Sequence, residues 1–137
     1  MPVISKLFEI LLLNILEPCL VTCSSQFGFK KGFSCSHAIY SVRKTIDYFC
    51  NLETTVNLCT LDISKAFDKV NHIKLFHKML DRNVPVSIIL ILICWYEKCT
   101  ISVRWGNCFS YFVRLESGMR QGSILAPKLF ALFVDEL

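Results

Sequence analysis

Apolar residues recur along this chain in two periods. Ile4, Leu7, Phe8, Leu11 and Ile15 repeat at helical spacing and predict an amphipathic helix over residues 5–17. Pro18 ends it, because the residue before a proline is pushed out of the helical region. Ile39, Val42, Ile46 and Phe49 predict a second helix over 36–50, with Ser34 or Ser36 as its cap. Ile73, Phe76, Met79 and Leu80 predict a third, halted near Asn83 by Pro85. The most apolar run, 84–96, predicts a mostly buried fourth helix over 85–98. Pro127 suits the first turn of a last helix over 127–137.

The strand-like stretches are shorter. Residues 56–61 form an apolar run that ends on a carboxylate, Asp62, and predict a buried strand. Residues 100–105 and 109–115 predict two strands joined by Gly106-Asn107, a hairpin signal. Residues 26–36 read as a loop or hairpin, and 51–55 as a link. With no repeats, linkers or low-complexity stretches, the pattern points to one compact unit cut at both ends.

Composition narrows the class. A chain of 137 residues is long enough for one domain that buries roughly two-thirds of its unfolded surface. A hydrophobic content of 53% and a mean hydropathy of +0.48 are high for a free-standing soluble domain. The net charge of +4 is compatible with nucleic acid without requiring it. The basic residues are scattered, adjacent only as the pairs Lys30-Lys31 and Arg43-Lys44, so no basic tail exists. The eight cysteines contain no CxxC pair, which favours reduced, buried thiols over a zinc site or a disulfide framework. Glu9 and Glu17 interrupt the early apolar stretch, against a secretory signal. The run 84–96 falls short of the ~20 residues of a membrane helix.

Three places offer chemistry. An acid at the end of a buried strand, Asp62, either holds a hard cation at the rim of a sheet or starts a turn. Gly28 and Gly32 let backbone N–H groups approach a phosphate that Lys30 and Lys31 would neutralise, unless the segment is a surface turn. His72 and His77 lie on the third helix without other metal-ligand partners and read as structural.

Several stretches resemble a known family. Leu61-Asp62-Ile63-Ser64-Lys65-Ala66-Phe67-Asp68-Lys69-Val70-Asn71-His72 is similar to the first catalytic-aspartate motif of reverse transcriptases from jockey-like non-LTR retrotransposons. Gly118-Met119-Arg120-Gln121-Gly122-Ser123-Ile124-Leu125-Ala126-Pro127-Lys128-Leu129-Phe130 resembles their Gln-Gly motif. Upstream, Gln26-Phe27-Gly28-Phe29-Lys30-Lys31-Gly32-Phe33-Ser34 is similar to a fingers segment of those enzymes. The opening Met1-Pro2-Val3-Ile4-Ser5-Lys6-Leu7-Phe8-Glu9 resembles the interior of a segment that precedes the fingers, so Met1 is not expected to start the ancestral reading frame.

The resemblance implies an α+β fold: the fingers and part of the palm of a right-hand polymerase, with a small antiparallel sheet backed by helices. Residues 1–55 would be fingers-like and 56–137 palm-like. It implies RNA-directed DNA polymerisation with two Mg²⁺ ions, an RNA template, a DNA primer and dNTPs, inside the cell in nucleus or cytoplasm. Asp62 would be the catalytic metal ligand, joined by the Ile63 carbonyl. Phe67 would exclude a ribose 2′-hydroxyl, be a core aromatic, or both. Gln121, Gly122, Lys30 and Lys31 would contact the nucleotide, and Arg120 would either touch template and primer or face solvent. Asp68 would cap or orient the following helix.

One departure sets limits. The family's Tyr/Phe-x-Asp-Asp strand pair, which supplies the remaining metal carboxylates, does not occur before Leu137, and Asp135-Glu136 would only continue the last helix. The chain is therefore expected to need the remainder of the polymerase, to be inactive alone, and to expose an unpaired sheet edge that favours aggregation. The alternatives are a non-catalytic remnant of such an element and, from another class, a small membrane-associated protein built on 84–96.

Overall fold

A computed structural model of the chain describes residues 3–120 and 122–135. It divides into two compact units where the pattern pointed to one: Met1–Val21 with Lys65–Leu137, and Thr22–Ser64. The fold is α+β, with five helices and short antiparallel strands among the described residues.

The larger unit holds the core. Helix α1 (Val3–Leu16) runs into a 3-10 turn at Glu17–Cys19 that contains Pro18. Its buried face is Glu9, Leu12 and Leu16, while Ile4 (81% exposed), Leu7, Leu11 and Ile15 face outward. The helix thus turns a different stripe inward from the one predicted. Its sequence is apolar almost all round, so spacing alone does not select a face.

Helix α3 (His72–Asp81) is capped by Asn71, whose Oδ1 accepts the Lys74 N–H at 3.0 Å. Asp68, the predicted cap, sits in a 3-10 turn (Ala66–Lys69) separated from α3 by the extended Val70. The helix closes in a Schellman arrangement. Asn83 adopts φ +56°, Val84 N–H donates to Met79 C=O (3.0 Å) and Asn83 N–H to Leu80 C=O (2.9 Å). Pro85 follows, and α4 (Val86–Glu97) begins at once. Helix α5 (Ala126–Val134) has Pro127 in its first turn, as expected, and starts one residue early. Glu136 and Leu137, placed in this helix by the pattern, lie outside the described residues.

Leu16, Val70, Leu75, Met79, Leu92, Leu129 and Leu132 are fully buried together. Each such side chain contributes about 1.5–3 kcal/mol of transfer free energy. The apolar run 84–96 therefore forms a core helix, with Ile89, Leu92 and Tyr96 inward. No described helix is long and apolar enough to cross a membrane.

Residues 100–114 form the expected hairpin with a defect. Strand β1 (Thr100–Ile101) pairs with β4 (Val113–Arg114), and β2 (Arg104–Trp105) with β3 (Cys108–Phe109). Ile101 opposes Val113 and Arg104 opposes Phe109, which leaves Ser102 and Val103 facing three residues, Ser110, Tyr111 and Phe112. The extra residue is a bulge, and it shifts the register by one. Ser110 holds it together: Val103 N–H donates to Ser110 Oγ (2.8 Å) and Ser110 N–H to Val103 C=O (2.9 Å). All four strands are exposed on both faces, with Trp105 at 86% and Phe109 at 66%. The sheet is thus not backed by helices, because the bulge divides an arm too short to present one continuous apolar face.

The smaller unit contains α2 (Cys35–Asn51) and two irregular arms. Ser34 caps α2, and its N–H donates to Nδ1 of His37 (3.1 Å), a histidine standing where a capping box has Glu or Gln. No residue of α2 is buried. The predicted strand 56–61 is absent, and Leu61 is 94% exposed. A strand exists only by pairing, and the pairs formed by the described residues all lie within the hairpin. The cysteines differ from expectation as well. None is in a disulfide, yet only Cys99 is buried: Cys19 is partly buried, and the others lie on exposed positions, Cys94 on the outer side of the core helix α4.

Candidate active site

The two motif-like stretches meet within the larger unit. After Lys65, which adopts a left-handed φ of +53°, the turn Ala66–Lys69 presents its backbone to residues 117–119. Met119 N–H donates to Phe67 C=O and Gly118 N–H to Val70 C=O, both at 2.8 Å. His72 Nε2 donates to Gly118 C=O at 2.7 Å, a structural role at the start of α3. Gly118 is required at this crossing. Its φ is +87°, and a Cβ would stand 2.9 Å from Asp68 O.

Beyond Arg120 the chain turns. Ser123 N–H donates to Arg120 C=O (3.2 Å), with Gly122 exposed at φ +77°. Gln121 lies outside the described residues. The Ser123 hydroxyl donates to Glu9 Oε2 (2.9 Å) and accepts the Ala126 N–H (3.0 Å), while Ile124 N–H donates to the same Glu9 oxygen (2.7 Å). Phe67 is half-buried and stacks on Phe130 with centroids 4.4 Å apart. The Arg120 guanidinium lies 5.4 Å from the Trp95 ring centre, so it is half-buried.

Arg120 also borders a cavity of about 410 Å³, together with Asp68, Thr100 and Met119. Burial pushes the Tyr96 phenol far above its ordinary range, with the charges of Cys99 and Glu9 adding to the rise and Arg120 opposing it. Burial likewise raises the Cys99 thiol, again opposed first by Arg120. Tyr96 therefore stays neutral and donates to Met119 Sδ at 3.4 Å.

The other predicted site residues belong to the smaller unit. Lys30 folds back within its own loop, where Nζ donates to the carbonyls of Cys23 (3.0 Å) and Thr22 (3.4 Å) and lies 5.3 Å from the Phe33 ring centre. Lys31, Asp62 and Ile63 are exposed. Nothing in the apolar pattern singled out Glu9 except its position, an acid three and seven residues before Leu12 and Leu16 on one helical face.

Among the described residues, no three His, Cys, Asp or Glu side chains gather closely enough to hold a metal ion. Asp62 offers one exposed carboxylate, whereas Mg²⁺ demands a near-octahedral oxygen shell. The described residues do not fit a two-Mg²⁺ centre.

Helices around one core, an antiparallel hairpin and two motif segments bonded side by side define an α+β protein. Over residues 1–137 the chain matches the family described as reverse transcriptase (RNA-dependent DNA polymerase), and it belongs to that family. It is 30% identical over 141 residues to the probable RNA-directed DNA polymerase from transposon X-element of Drosophila melanogaster, covering 100% of this chain and 15% of that protein. It is 31% identical over 141 residues to the RNA-directed DNA polymerase from mobile element jockey of Drosophila funebris, with the same coverage. A reverse transcriptase-like protein of Chlamydomonas reinhardtii is 26% identical over 90% of this chain and 32% of its own length. The jockey-like resemblance is thereby borne out, and the chain spans 15% of the length of its Drosophila relatives.

Proposed function

We propose that this chain forms the fingers and part of the palm of a right-hand RNA-directed DNA polymerase, divided functionally near residue 55. One observation carries the reading: the stretch after Asp62 and the stretch before Gly122 are hydrogen-bonded directly to each other through Phe67–Met119 and Val70–Gly118. Both stretches resemble reverse-transcriptase motifs, and the family match over the whole chain supports the same reading.

In this reading Gln121 and Gly122 contact the nucleotide and the template strand, because glycine permits close backbone approach and glutamine both donates and accepts. Phe67, held flat against Phe130, excludes the ribose 2′-hydroxyl and is a packed aromatic as well. Arg120 borders the template-primer path, the exposed Lys31 meets phosphate, and Lys30 joins it by releasing the carbonyls of Cys23 and Thr22. Asp62, with the Ile63 carbonyl, contributes one part of a metal site whose other carboxylates come from the remainder of the polymerase. The partners are RNA template, DNA primer and dNTPs, and the setting is the nucleus or cytoplasm.

The purified chain should bind a poly(rA)–oligo(dT) duplex, and Gly122→Val should weaken that binding. It should not extend the primer, since a single carboxylate cannot hold two Mg²⁺ ions. Incorporation of dTTP that is abolished by Asp62→Ala would overturn the second expectation. Loss of duplex binding by the unaltered chain would overturn the first.

A further inference from the structure

Glu9 is an acid in an apolar core. It is 2% exposed and shares its helical face with Leu12 and Leu16. A side chain that only filled this space would be apolar, because a buried carboxylate is tolerated only where donors compensate it. Two donors do so, and both come from the loop after Gly122. Ile124 N–H reaches Oε2 at 2.7 Å and Ser123 O–H reaches the same atom at 2.9 Å.

The second bond does more than satisfy the acid. With its proton committed to Glu9, the Ser123 oxygen is free to accept the Ala126 N–H at 3.0 Å, at the first turn of α5. One carboxylate on α1 thereby sets the exit of the Gly122 turn and the start of α5 together. The turn's entrance is set separately, by Gly118 and Met119 bonded to the 67–70 segment.

We propose that Glu9 is a positioning residue for the nucleotide- and template-contacting loop, which it holds through the backbone of Ile124 and the hydroxyl of Ser123. This rests on the reading of that loop given above. Glu9 touches no substrate. It fixes the loop before substrate arrives, so the ordering cost of binding is lowered in advance.

Amide exchange measured by NMR on the purified chain tests the geometry. In Glu9→Leu and in the shortened Glu9→Asp, the Ile124 amide should exchange ~10-fold faster, the scale of one lost charge-assisted hydrogen bond. Amides of Met79 and Leu92 should keep their protection. Glu9→Gln, whose carbonyl oxygen accepts both donors at the same reach, should restore Ile124 to within ~3-fold. An unchanged Ile124 amide, equal acceleration at Met79 and Leu92, or no restoration by glutamine would overturn the proposal.

If Glu9→Leu does not fold, Ser123→Ala decides, since it removes one donor without emptying the core. The Ile124 amide should then exchange ~3-fold faster, and an unchanged rate would count against the proposal. Affinity for a poly(rA)–oligo(dT) duplex, measured in parallel, should fall ~5-fold in Glu9→Leu and recover in Glu9→Gln. Faster Ile124 exchange at constant affinity would uphold Glu9 as the residue that orders the loop. It would refute the loop's role in nucleic-acid contact.

Discussion

Helices α2 and α3 carry apolar stripes of the same kind, and they end differently. Helix α3 buries Leu75 and Met79 completely, whereas α2 buries nothing. Helix α3 packs beside α4 and α5 in the larger unit, where Leu75 and Met79 find partner surfaces, while Ile73 and Leu80 of the expected stripe stay exposed. In residues 22–64 the stripe of Ile39, Val42, Ile46 and Phe49 stays largely open, and the apolar run 56–61 stays unpaired. An amphipathic pattern specifies which face is available for burial, and burial itself needs a second surface.

The sharpest break in this comparison is at the crossing of the two motif segments. Gly118→Val adds a Cβ against the Asp68 backbone and forces a branched residue to φ +87°, so it should cost roughly 3 kcal/mol or more. Urea unfolding would show it as a lowered midpoint. Leu75→Ala comes next, at about 3 kcal/mol for a fully buried leucine. Ile39→Ala, on the open stripe of α2, should stay within ~0.5 kcal/mol. Equal costs at Leu75 and Ile39 would erase the distinction between the units.

Alkaline titration gives a smaller effect that is confined to the core. The Tyr96 phenol holds its proton more tightly folded than unfolded. Its stabilisation is therefore complete below the ordinary tyrosine value of about 10 and is lost as pH rises above it. Tyr96→Phe should flatten the thermal-stability profile above that pH. The smallest change in stability is expected in the hairpin. Replacing Trp105 and Phe112 by serine should leave stability within ~0.5 kcal/mol, since both side chains are exposed. Sedimentation should nonetheless show less self-association, because two large exposed apolar side chains are removed.

The places where pattern and structure agree are those governed by local stereochemistry. Pro18, Pro85 and Pro127 mark helix boundaries within a residue or two, Ser34 caps α2, and Gly106-Asn107 turns the hairpin. At the candidate site, the two motif segments were legible as sequence, and the positive φ at Gly118 and Gly122 explains why glycine stands twice in the second of them. Local steric rules act over a few residues, so a linear pattern carries them.

What the tertiary structure alone decided acts across distance. It chose Glu9, Leu12 and Leu16 over the equally apolar opposite side of α1, because only that face meets the donors of Ser123 and Ile124. It withheld a strand from residues 56–61, because strands require partners and none of the described segments supplies one. It slipped the hairpin register by one residue around Ser110 and gave Asn71 the cap predicted for Asp68. Each of these outcomes depends on which surfaces and polar groups meet after the chain has folded. Sequence spacing determines what each segment offers, and the physics of pairing and desolvation determines which offers are taken up.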